Sequence, residues 1–416
     1  MSEKTDKKNT DRQRHGVIAG GGIAGLASAI CLARFGWQVT LLESASAFED
    51  IGAGVQISPN GSRILEAMGV LQELNGKAFE PEALEMRHGK SGRQLLYLPM
   101  REKARERWGA PYLQVYRPDL IAAFLKVIEQ QPDISTRNSC TAKQYTNQQD
   151  GVQINTEDGE LIQADLLVAA DGVHSTLREQ VVGESHSPAR FTGNVAWRAI
   201  VPIDVIANRL VPVPPPTACV WTGEGKHAVT TRIRGGKWIN FVGITEQDNW
   251  QQEGWRVKGS IDEALADFDQ WNPTITAILQ AAAENDNLYR WALLDRPPLP
   301  SWSDGRTVLV GDAAHASLPS LAQGAVQAIE DAWELANTHQ QERDISSANS
   351  QFFQSRIKRT SRVQKESAAN LHLFHKRGLL NQFISYTPVW VAGKLLPAAI
   401  YRRNDWLYGK APTVEA

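Results

Sequence analysis

One short stretch of the sequence, residues 15–43, constrains the fold of this chain more than any other. An apolar run at residues 17–19 leads into the glycine turn GGGIAG at residues 20–25, and small residues then continue as a predicted helix over 22–34. A second apolar run follows the helix and ends at Glu43. The order of strand, glycine turn, helix, strand and acid predicts a Rossmann-like βαβ unit.

The glycines of the turn each have a physical role in such a unit. Gly20 permits the tight turn, Gly22 lets the backbone approach a pyrophosphate, and Gly25 lets the helix pack closely on the strand. The helix N-terminus offers unpaired N–H groups and a partial positive charge. Glu43 lies 18 positions after Gly25, where an acid would hold ribose hydroxyls. We therefore expect a dinucleotide site here, rather than a tight turn without a ligand.

Length and composition exclude several classes of protein. The chain of 416 residues and 46.0 kDa has room for two or three domains, and its hydrophobic content of 42% is that of a globular protein. A formal net charge of −2 without a basic stripe argues against a nucleic-acid partner. Cys31, Cys140 and Cys219 are scattered, so we expect no metal site, no disulfide and a reducing cytoplasm. We expect neither a signal peptide nor a transmembrane helix.

Two further buried strands are predicted to end on an acid and a glycine. The run ADLLVAADG ends on Asp171 and Gly172, and the run GRTVLVGD ends on Gly311 and Asp312. Ligands of open α/β sheets bind beyond the carboxyl ends of the strands, so one long dinucleotide could contact all three turns. A helix cap is the alternative role for each acid taken alone.

The strand pattern predicts an α/β fold with an insertion. A Rossmann-like nucleotide-binding domain with three layers, ββα, is assembled from separated pieces. Alternating β-branched and aromatic residues between 190 and 245 predict an inserted, mostly antiparallel sheet domain. A C-terminal helical region follows. The predicted boundaries are 1–15 for a disordered tail, 16–82, 112–186 and 300–340 for the nucleotide-binding domain, 83–111 and 187–299 for the substrate-binding sheet domain, and 341–416 for the C-terminal helices.

Three stretches carry more local predictions. Residues 51–56 are predicted to form a flexible loop before a helix that begins at Ser58 and Pro59. The charged residues 99–111 are predicted to be a connector. Pro388, like the later Gly393 and Pro397, is expected to break the C-terminal helices.

Besides these turns, the chain carries several longer stretches that are specific to one family. They are IGAGVQISPN at 51–60, YRPDL at 116–120, ADLLVAADGVHSTLR at 164–178, WALLDRPPLPSW at 291–302, GRTVLVGDAAHASLPSLAQGAVQAIEDA at 305–332 and NDWLYG at 404–409. With them, the chain resembles the single-component flavoprotein monooxygenases of the para-hydroxybenzoate hydroxylase type over residues 16–409. Within these it is most similar to the salicylate and 3-hydroxybenzoate hydroxylase branch.

The resemblance implies bound FAD, and NADH or NADPH as a transient co-substrate without a Rossmann site of its own. In such enzymes the first turn holds the FAD pyrophosphate, Arg117 contacts the flavin and Asp312 hydrogen-bonds the ribityl chain. The N-terminus of the helix after Gly324 would stabilise negative charge on reduced flavin. A surface ion pair is the alternative for Arg117. The implied FAD contacts are Gly20, Gly22, Ile23, Ala24, Gly25, Glu43, Gly54, Val55, Arg117, Asp171, Gly172, Gly311, Asp312, Gln323, Gly324 and Ala325.

The resemblance also implies a reaction. NAD(P)H reduces FAD, and O2 then gives a flavin C4a-hydroperoxide that hydroxylates an electron-rich ring, here of a small salicylate- or hydroxybenzoate-like aromatic. Such a protein must exclude water and help a phenol to lose its proton.

His227 is the predicted catalytic base. Side chains alternate along a strand, so His227, Val229 and Thr231 share one face. Arg232 and Arg234 are then expected to face solvent. Members of the branch have a histidine at this position, whereas many have tyrosine where Thr231 stands. A buried histidine without a catalytic role is the alternative. The predicted substrate contacts are Gln56, Thr231, Pro319 and Ser320.

Other functions remain open at this point. The absence of tyrosine at Thr231 keeps open epoxidation or hydroxylation of a non-aromatic or polycyclic secondary metabolite, and a flavin-binding module without turnover is a third hypothesis. Urate is disfavoured, because urate hydroxylases have arginine at the position of His227 and aspartate at that of Ser320. A monomer or a homodimer is expected, with residues 383–400 packed on the protein or on a dimer partner, or else touching a membrane.

Overall fold

A computed structural model describes residues 12–48, 52–183, 188–248 and 257–409. The predicted tail up to residue 11, the start of the predicted loop at Ile51, the predicted boundary between residues 186 and 187, and residues 410–416 lie outside the described residues. In chain order the elements are β1 (His15–Ala19), α1 (Ile23–Arg34), β2 (Gln38–Leu42), β3 (Gly54–Ile57), α2 (Pro59–Ala67), α3 (Val70–Glu73), β4 (Ala83–His88), β5 (Gln94–Pro99), α4 (Arg101–Trp108), β6 (Leu113–Tyr116), α5 (Arg117–Ile128), β7 (Ile134–Arg137), β8 (Ala142–Asn147), β9 (Val152–Thr156), β10 (Leu161–Ala164), β11 (Leu166–Ala169), α6 (Leu177–Val182), β12 (Arg190–Pro202), α7 (Ile203–Ala207), β13 (Ala218–Gly223), β14 (Lys226–Ile233), β15 (Trp238–Glu246), α8 (Ile261–Asp267), α9 (Pro273–Glu284), β16 (Leu288–Asp295), β17 (Ser303–Asp304), β18 (Thr307–Leu309), α10 (Asp312–His315), α11 (Gly324–Gln341), α12 (Ile345–Phe374), α13 (Leu379–Leu395) and α14 (Pro397–Tyr408).

The first layer is a sheet with the strand order β17-β18-β11-β1-β2-β7. Its strands are parallel except for β17, which runs antiparallel to β18. Helix α1 packs against the sheet, α5 and α11, and is buried on nearly all sides, as its small apolar residues require. The strands come from all three segments predicted for the nucleotide-binding domain. The predicted boundaries remain a prediction, except that β1 already begins at His15, inside the predicted disordered tail, because it pairs there with β2.

The second layer is a sheet with the strand order β16-β12-β15-β14-β13-β4-β5. It is antiparallel throughout, except that β13 pairs parallel with β4. Helices α8 and α9 cover one face and share a core with Trp197, Phe241 and Phe268. Because that face is covered, the opposite face of β14 and β15 is left to meet the first layer.

Two of the local predictions are wrong. Residues 54–57 form strand β3, paired antiparallel with β6, rather than a flexible loop, because their backbone finds partners in a strand that is distant in sequence. Residues 101–108 form helix α4 rather than a connector: Ala104 and Trp108 are buried along its inner side, while its charges face water.

The arginines of β14 also depart from the prediction. Arg234 is exposed as expected, but Arg232 is 5% exposed and donates to the backbone oxygen of Pro214. The proline-rich segment after α7 therefore covers this part of the sheet. Burial lowers the pKa of Arg232.

The C-terminal helices are longer than predicted. Helix α13 continues through Pro388 and Gly393, and the break comes at Leu396, before Pro397. Within the described ranges, no single helix has the length and apolar composition needed to cross a membrane. The pair α13 and α14, bent by 101°, meets that test only when the two are taken together, by length and composition.

Candidate active site

The three predicted turns converge at one edge of the first sheet. They follow the carboxyl ends of the adjacent parallel strands β1, β11 and β18. A Cβ built on Gly20 would lie 2.5 Å from the carbonyl oxygen of Ala170, and one on Gly311 would lie 2.9 Å from the Cβ of Ala24. The first turn is therefore in direct contact with the other two, and both contacts leave no room for a side chain on the glycine.

A cavity of about 400 Å³ lies between these turns and the second sheet. Its size and mixed lining are those of a small-molecule site. It joins most of the residues predicted from the sequence, whether assigned to FAD or to substrate. These are Gly22, Ile23, Ala24, Gly54, Val55, Gln56, Arg117, Gly172, His227, Thr231, Asp312, Pro319, Gly324 and Ala325.

The second sheet supplies the wall of the cavity as three cross-strand pairs. His227 lies opposite Ile244, Val229 opposite Val242, and Thr231 opposite Asn240, on β14 and β15. Since alternate residues of a strand share a face, the strand periodicity puts all six on the same side. The wall is apolar in the middle and polar at both ends.

The first turn fits the approach of a phosphate group. A Cβ on Gly22 would meet no protein atom within 4 Å, whereas a Cβ on Gly25 would lie 1.8 Å from the carbonyl oxygen of Gly20. Gly22 is the N-cap of α1, and no side chain caps the first turn of this helix. The unpaired N–H groups of α1 and the open space before them suit an anion.

Asp312 and Arg117 bring opposite charges to the cavity from separate elements. Burial raises the pKa of Asp312, while His315 and Arg117 favour its charged form. A Cβ on Gly324 would lie 4.0 Å from Oδ1 of Asp312, so the N-terminus of α11 faces the same space. Together with the first turn, these groups match the donors and acceptors of a dinucleotide, so the residues present fit the implied FAD.

Several predicted residues lie beside the cavity rather than on it. Glu43 accepts hydrogen bonds from the backbone N–H of Gly21 and of Ala45, both at 2.8 Å. Asp171 caps α6 by accepting from the N–H groups of Thr176 and Leu177, which is the alternative role considered for it. Gly20, Gly25 and Gly311 shape the turns.

Two more predicted residues are buried behind the loop that precedes α11. Gln323 donates to Oγ of Ser58 at 2.9 Å and belongs to a buried polar network that includes Asn60. Ser320 has a buried Oγ, and only its neighbour Pro319 lines the cavity. Neither the Gln323 nor the Ser320 side chain lines the cavity.

His227 is buried, and one of its ring nitrogens is unpaired within the described parts of the chain. It is 1% exposed, and its Nδ1 lies 2.7 Å from Nε2 of His375, while Nε2 of His227 has no hydrogen-bond partner among the described residues. Burial, and then the neighbouring His375, hold the pKa of His227 well below its usual value. The ring is therefore neutral near pH 7 and has a nitrogen that can accept a proton.

Two residues that hydrogen-bond to side chains of the cavity wall, Asn240 and His375, were not predicted from the sequence. Asn240 accepts from the N–H of Gly54 at 2.8 Å and donates to Oγ1 of Thr231 at 3.1 Å, so it joins the loop of β3 to the cavity wall. The strand alternation that singled out β14, applied to β15, would have pointed to it. No pattern in the sequence links His375 to a strand 148 residues away.

The comparisons with known proteins agree with this geometry. Residues 15–340 match the family described as FAD binding domain. The chain belongs to this FAD-binding family. The predicted FAD, α/β fold class and family resemblance are thereby confirmed.

Members of this family with known activities resemble the chain over most of its length. It is 36% identical to a 3-amino-4-hydroxybenzoate 2-monooxygenase of Streptomyces platensis, over 88% of this chain and 90% of that one. It is 32% identical to 3-hydroxybenzoate 6-hydroxylase 1 of Aquipseudomonas alcaligenes, over 96% and 98%. A salicylate hydroxylase solved as a substrate complex has the same fold, with a TM-score of 0.76, 23% identity and coverage of 97% and 99%. The predicted class, an FAD-dependent monooxygenase, is confirmed.

Proposed function

We propose that this FAD-dependent monooxygenase hydroxylates a small hydroxylated aromatic acid with NADH or NADPH and O2. One observation carries the proposal: His227 and Thr231 of the second sheet line the same cavity as Gly22, Gly172 and Asp312 of the three turns. The relatives that act on hydroxybenzoates support the substrate class.

The free, buried cysteines support a cytoplasmic location. The oligomeric state, a monomer or a homodimer, remains a prediction.

The first layer would bind the cofactor, and the second layer would bind the substrate. We propose that the first turn, Arg117 and Asp312 hold FAD. When bound, FAD would be reduced by NAD(P)H and would then activate O2. Val229 and Val242 give the wall an apolar middle that excludes water from the reacting ring.

The polar ends of the wall orient the substrate and move its proton. Nε2 of His227 accepts the proton of the substrate hydroxyl, which makes the ring more nucleophilic. Thr231 and Asn240 contact the other end of the substrate. Because Asn240 also holds Gly54, the same side chain sets the distance between the substrate and the β3 loop.

The test uses the purified holoenzyme and a panel of 3-hydroxybenzoate, 4-hydroxybenzoate, salicylate and 6-hydroxynicotinate. We expect at least one compound to raise NAD(P)H consumption and to appear as its hydroxylated product. His227→Ala should then lower kcat by roughly 10²-fold or more. A hydroxylation that His227→Ala leaves unchanged would favour the alternative, a substrate without a phenol to deprotonate. If no compound is consumed or hydroxylated, the proposed substrate class is wrong.

A further inference from the structure

The hydrogen bond between His227 and His375 continues to the protein surface. Nδ1 of His375 lies 3.0 Å from Oε1 of Glu246, whose other oxygen forms an ion pair with Arg377. Exposure rises along this path: the His375 side chain is 4% exposed and that of Glu246 is 39% exposed. A continuous row of titratable groups thus joins the wall of the cavity to solvent.

The fold places the three groups on one face. His227 lies opposite Ile244 in the β14–β15 ladder, and Glu246 is two residues further along β15, so both side chains project from the same side of the sheet. His375 follows the last residue of α12 and sits over this side, where its backbone oxygen accepts from the N–H of Gly225. Phe374 packs on the ring of His227 with a centroid distance of 5.1 Å.

The carboxylate at the surface fixes the direction of every hydrogen bond in the row. A carboxylate only accepts, so Nδ1–H of His375 donates to Glu246. Nε2 of neutral His375 then carries the lone pair, and Nδ1–H of His227 donates to it. Nε2 of His227 is left as an acceptor without a partner among the described residues.

The protonation states agree with this order. Burial lowers the pKa of both histidines, which keeps them neutral near pH 7. Burial acts in the opposite direction on Glu246, but Arg377 and His375 hydrogen-bond its carboxylate, and the pKa of Glu246 is lowered. An unpaired buried acceptor is unfavourable, and a substrate hydroxyl that donates to Nε2 of His227 would satisfy it.

We propose that His227, His375 and Glu246 form a proton relay that carries the proton of a bound substrate hydroxyl from the cavity to the surface. This deepens the proposed function and rests on it. The substrate O–H bond breaks and an Nε2–H bond forms on His227, while Nδ1–H of His227 passes its proton to Nε2 of His375. Nδ1–H of His375 passes its proton to Glu246, which releases it to water. One proton enters and one leaves, and no electron is transferred.

Other charged groups surround the surface end of the relay and contribute to its pH dependence. His372 lies in the last turn of α12, three residues before His375, and Asp248 acts on Arg377. The groups that line the surface cleft beside Glu246 are Lys90, Glu224, Lys226, Asp267, Asp269 and Arg377.

The relay is tested on the FAD-loaded enzyme by following ionisation of the bound phenol, using whichever of the four panel compounds binds most tightly. Phenol and phenolate differ in ultraviolet absorption, so a rapid pH jump reports the rate of ionisation without turnover. We expect His375→Gln and Glu246→Gln each to slow this rate and kcat by about 10-fold, with KM changed by less than about twofold. Glu246→Asp, which keeps the carboxylate, should restore most of the rate.

Exposed neighbours supply the controls. His372→Gln on α12 and Asp248→Asn after β15 remove comparable groups without breaking the row. Each is expected to shift the pH profile only slightly, and at pH 7 both should keep an ionisation rate within about twofold of that of the unchanged enzyme. Glu246 is partly exposed, so Glu246→Gln tests the relay even where His375→Gln fails to fold. An enzyme that hydroxylates a panel compound, but whose ionisation rate is unaffected by both relay variants, overturns the relay alone. An enzyme that binds none of the four compounds overturns the proposed function and the relay together.

Discussion

The glycines of the first turn have opposite surroundings. Gly25 faces the backbone of Gly20 at a distance that no Cβ could occupy, while Gly22 faces open space at the end of the cavity. Gly22 also has φ −75°, a value that any residue adopts. One glycine is therefore required by the fold and the other by the ligand.

Alanine at each position separates these roles. Gly25→Ala should destabilise the protein by about 1–3 kcal/mol, because its Cβ overlaps the Gly20 carbonyl. Gly22→Ala should change stability by less than about 1 kcal/mol but weaken FAD binding, because a methyl group would occupy the space of the pyrophosphate. Urea unfolding of the FAD-free protein and FAD titration by fluorescence measure the two effects. Normal FAD affinity in Gly22→Ala would contradict the placement of the pyrophosphate.

The buried carboxylate of Asp312 lowers the stability of the folded protein, and a bound cofactor would offset this effect. Burial raises the pKa of Asp312, so the folded chain holds its proton to a higher pH than the unfolded chain does. The free energy of unfolding therefore falls as pH rises through this range. Asp312→Asn should therefore leave the melting temperature of the FAD-free protein unchanged or higher, while FAD affinity falls by about 10-fold. Asp262→Asn, at an exposed position, is the control. A lower melting temperature would instead assign Asp312 a structural role.

Helices α11 and α12 hold the third turn from behind. Asp331 of α11 accepts from the N–H of Gly311 at 2.9 Å, and Arg356 of α12 donates to Asp331 at 2.8 Å and to Glu330 at 2.6 Å. These side chains are buried, and their ion pairs hold the pKa of both carboxyls below the usual range against the effect of burial. The position of the turn thus depends on a charge network that lies outside the cavity.

Removing Arg356 should take one partner from each of two buried carboxylates. Asp331 would keep His315, and Glu330 would keep Arg359. We expect Arg356→Ala to lower the free energy of unfolding by about 3–5 kcal/mol and to weaken FAD binding, because Oδ1 of Asp331 loses its partner and the carboxylate that accepts from Gly311 is less well fixed. Lys358→Ala, two residues away and exposed, should cost less than about 0.5 kcal/mol. Chemical denaturation of both variants measures the difference. A small effect at Arg356 would show that its two ion pairs are not needed to support the turn.

At the scale of the whole molecule, and among the residues that the structure describes, three histidines are buried with a pKa lowered by burial. They are His227 and His375 of the row described above, and His339, whose Nε2 bonds Oδ1 of Asn349 at 2.9 Å. Burial lowers the pKa of His339 to about 4, with a smaller contribution from Arg14. Above the pKa of an unfolded histidine, near 6.5, such a group adds no pH dependence to the free energy of unfolding. Below that pH the unfolded chain binds the proton and the folded chain does not, so the unfolded state is favoured.

Stability should therefore fall as pH drops from about 6.5 towards 4. His339 alone contributes a slope of up to about 1.4 kcal/mol per pH unit in that window. His339→Gln keeps a hydrogen-bonding group but cannot be protonated, so its free energy of unfolding should depend less steeply on pH. Urea unfolding at intervals from pH 7.5 to 4.5 measures the slope. An unchanged slope in His339→Gln would mean that His339 is protonated in the folded protein.

The sequence by itself determined the turns and the strands that lead into them. The glycine spacing at 20–25, the acids at Asp171 and Asp312, and the alternation along β14 all depend on local backbone geometry, which a short sequence expresses directly. The extended β3 and the helical α4 could not be predicted in this way. Their form depends on pairing with β6 and on burying Trp108, both contacts with distant parts of the chain.

Only the tertiary structure decided which polar groups share a hydrogen-bond row. The sequence predicts His227 on its strand. Its partner His375 lies at the end of α12, which packs over that strand only in the folded chain. Glu246 lies beside His375 because of the register between β14 and β15. Residue type and spacing give a side chain its chemistry. Burial and neighbours, which come from packing, decide which nitrogen is free to accept a proton and where that proton can go.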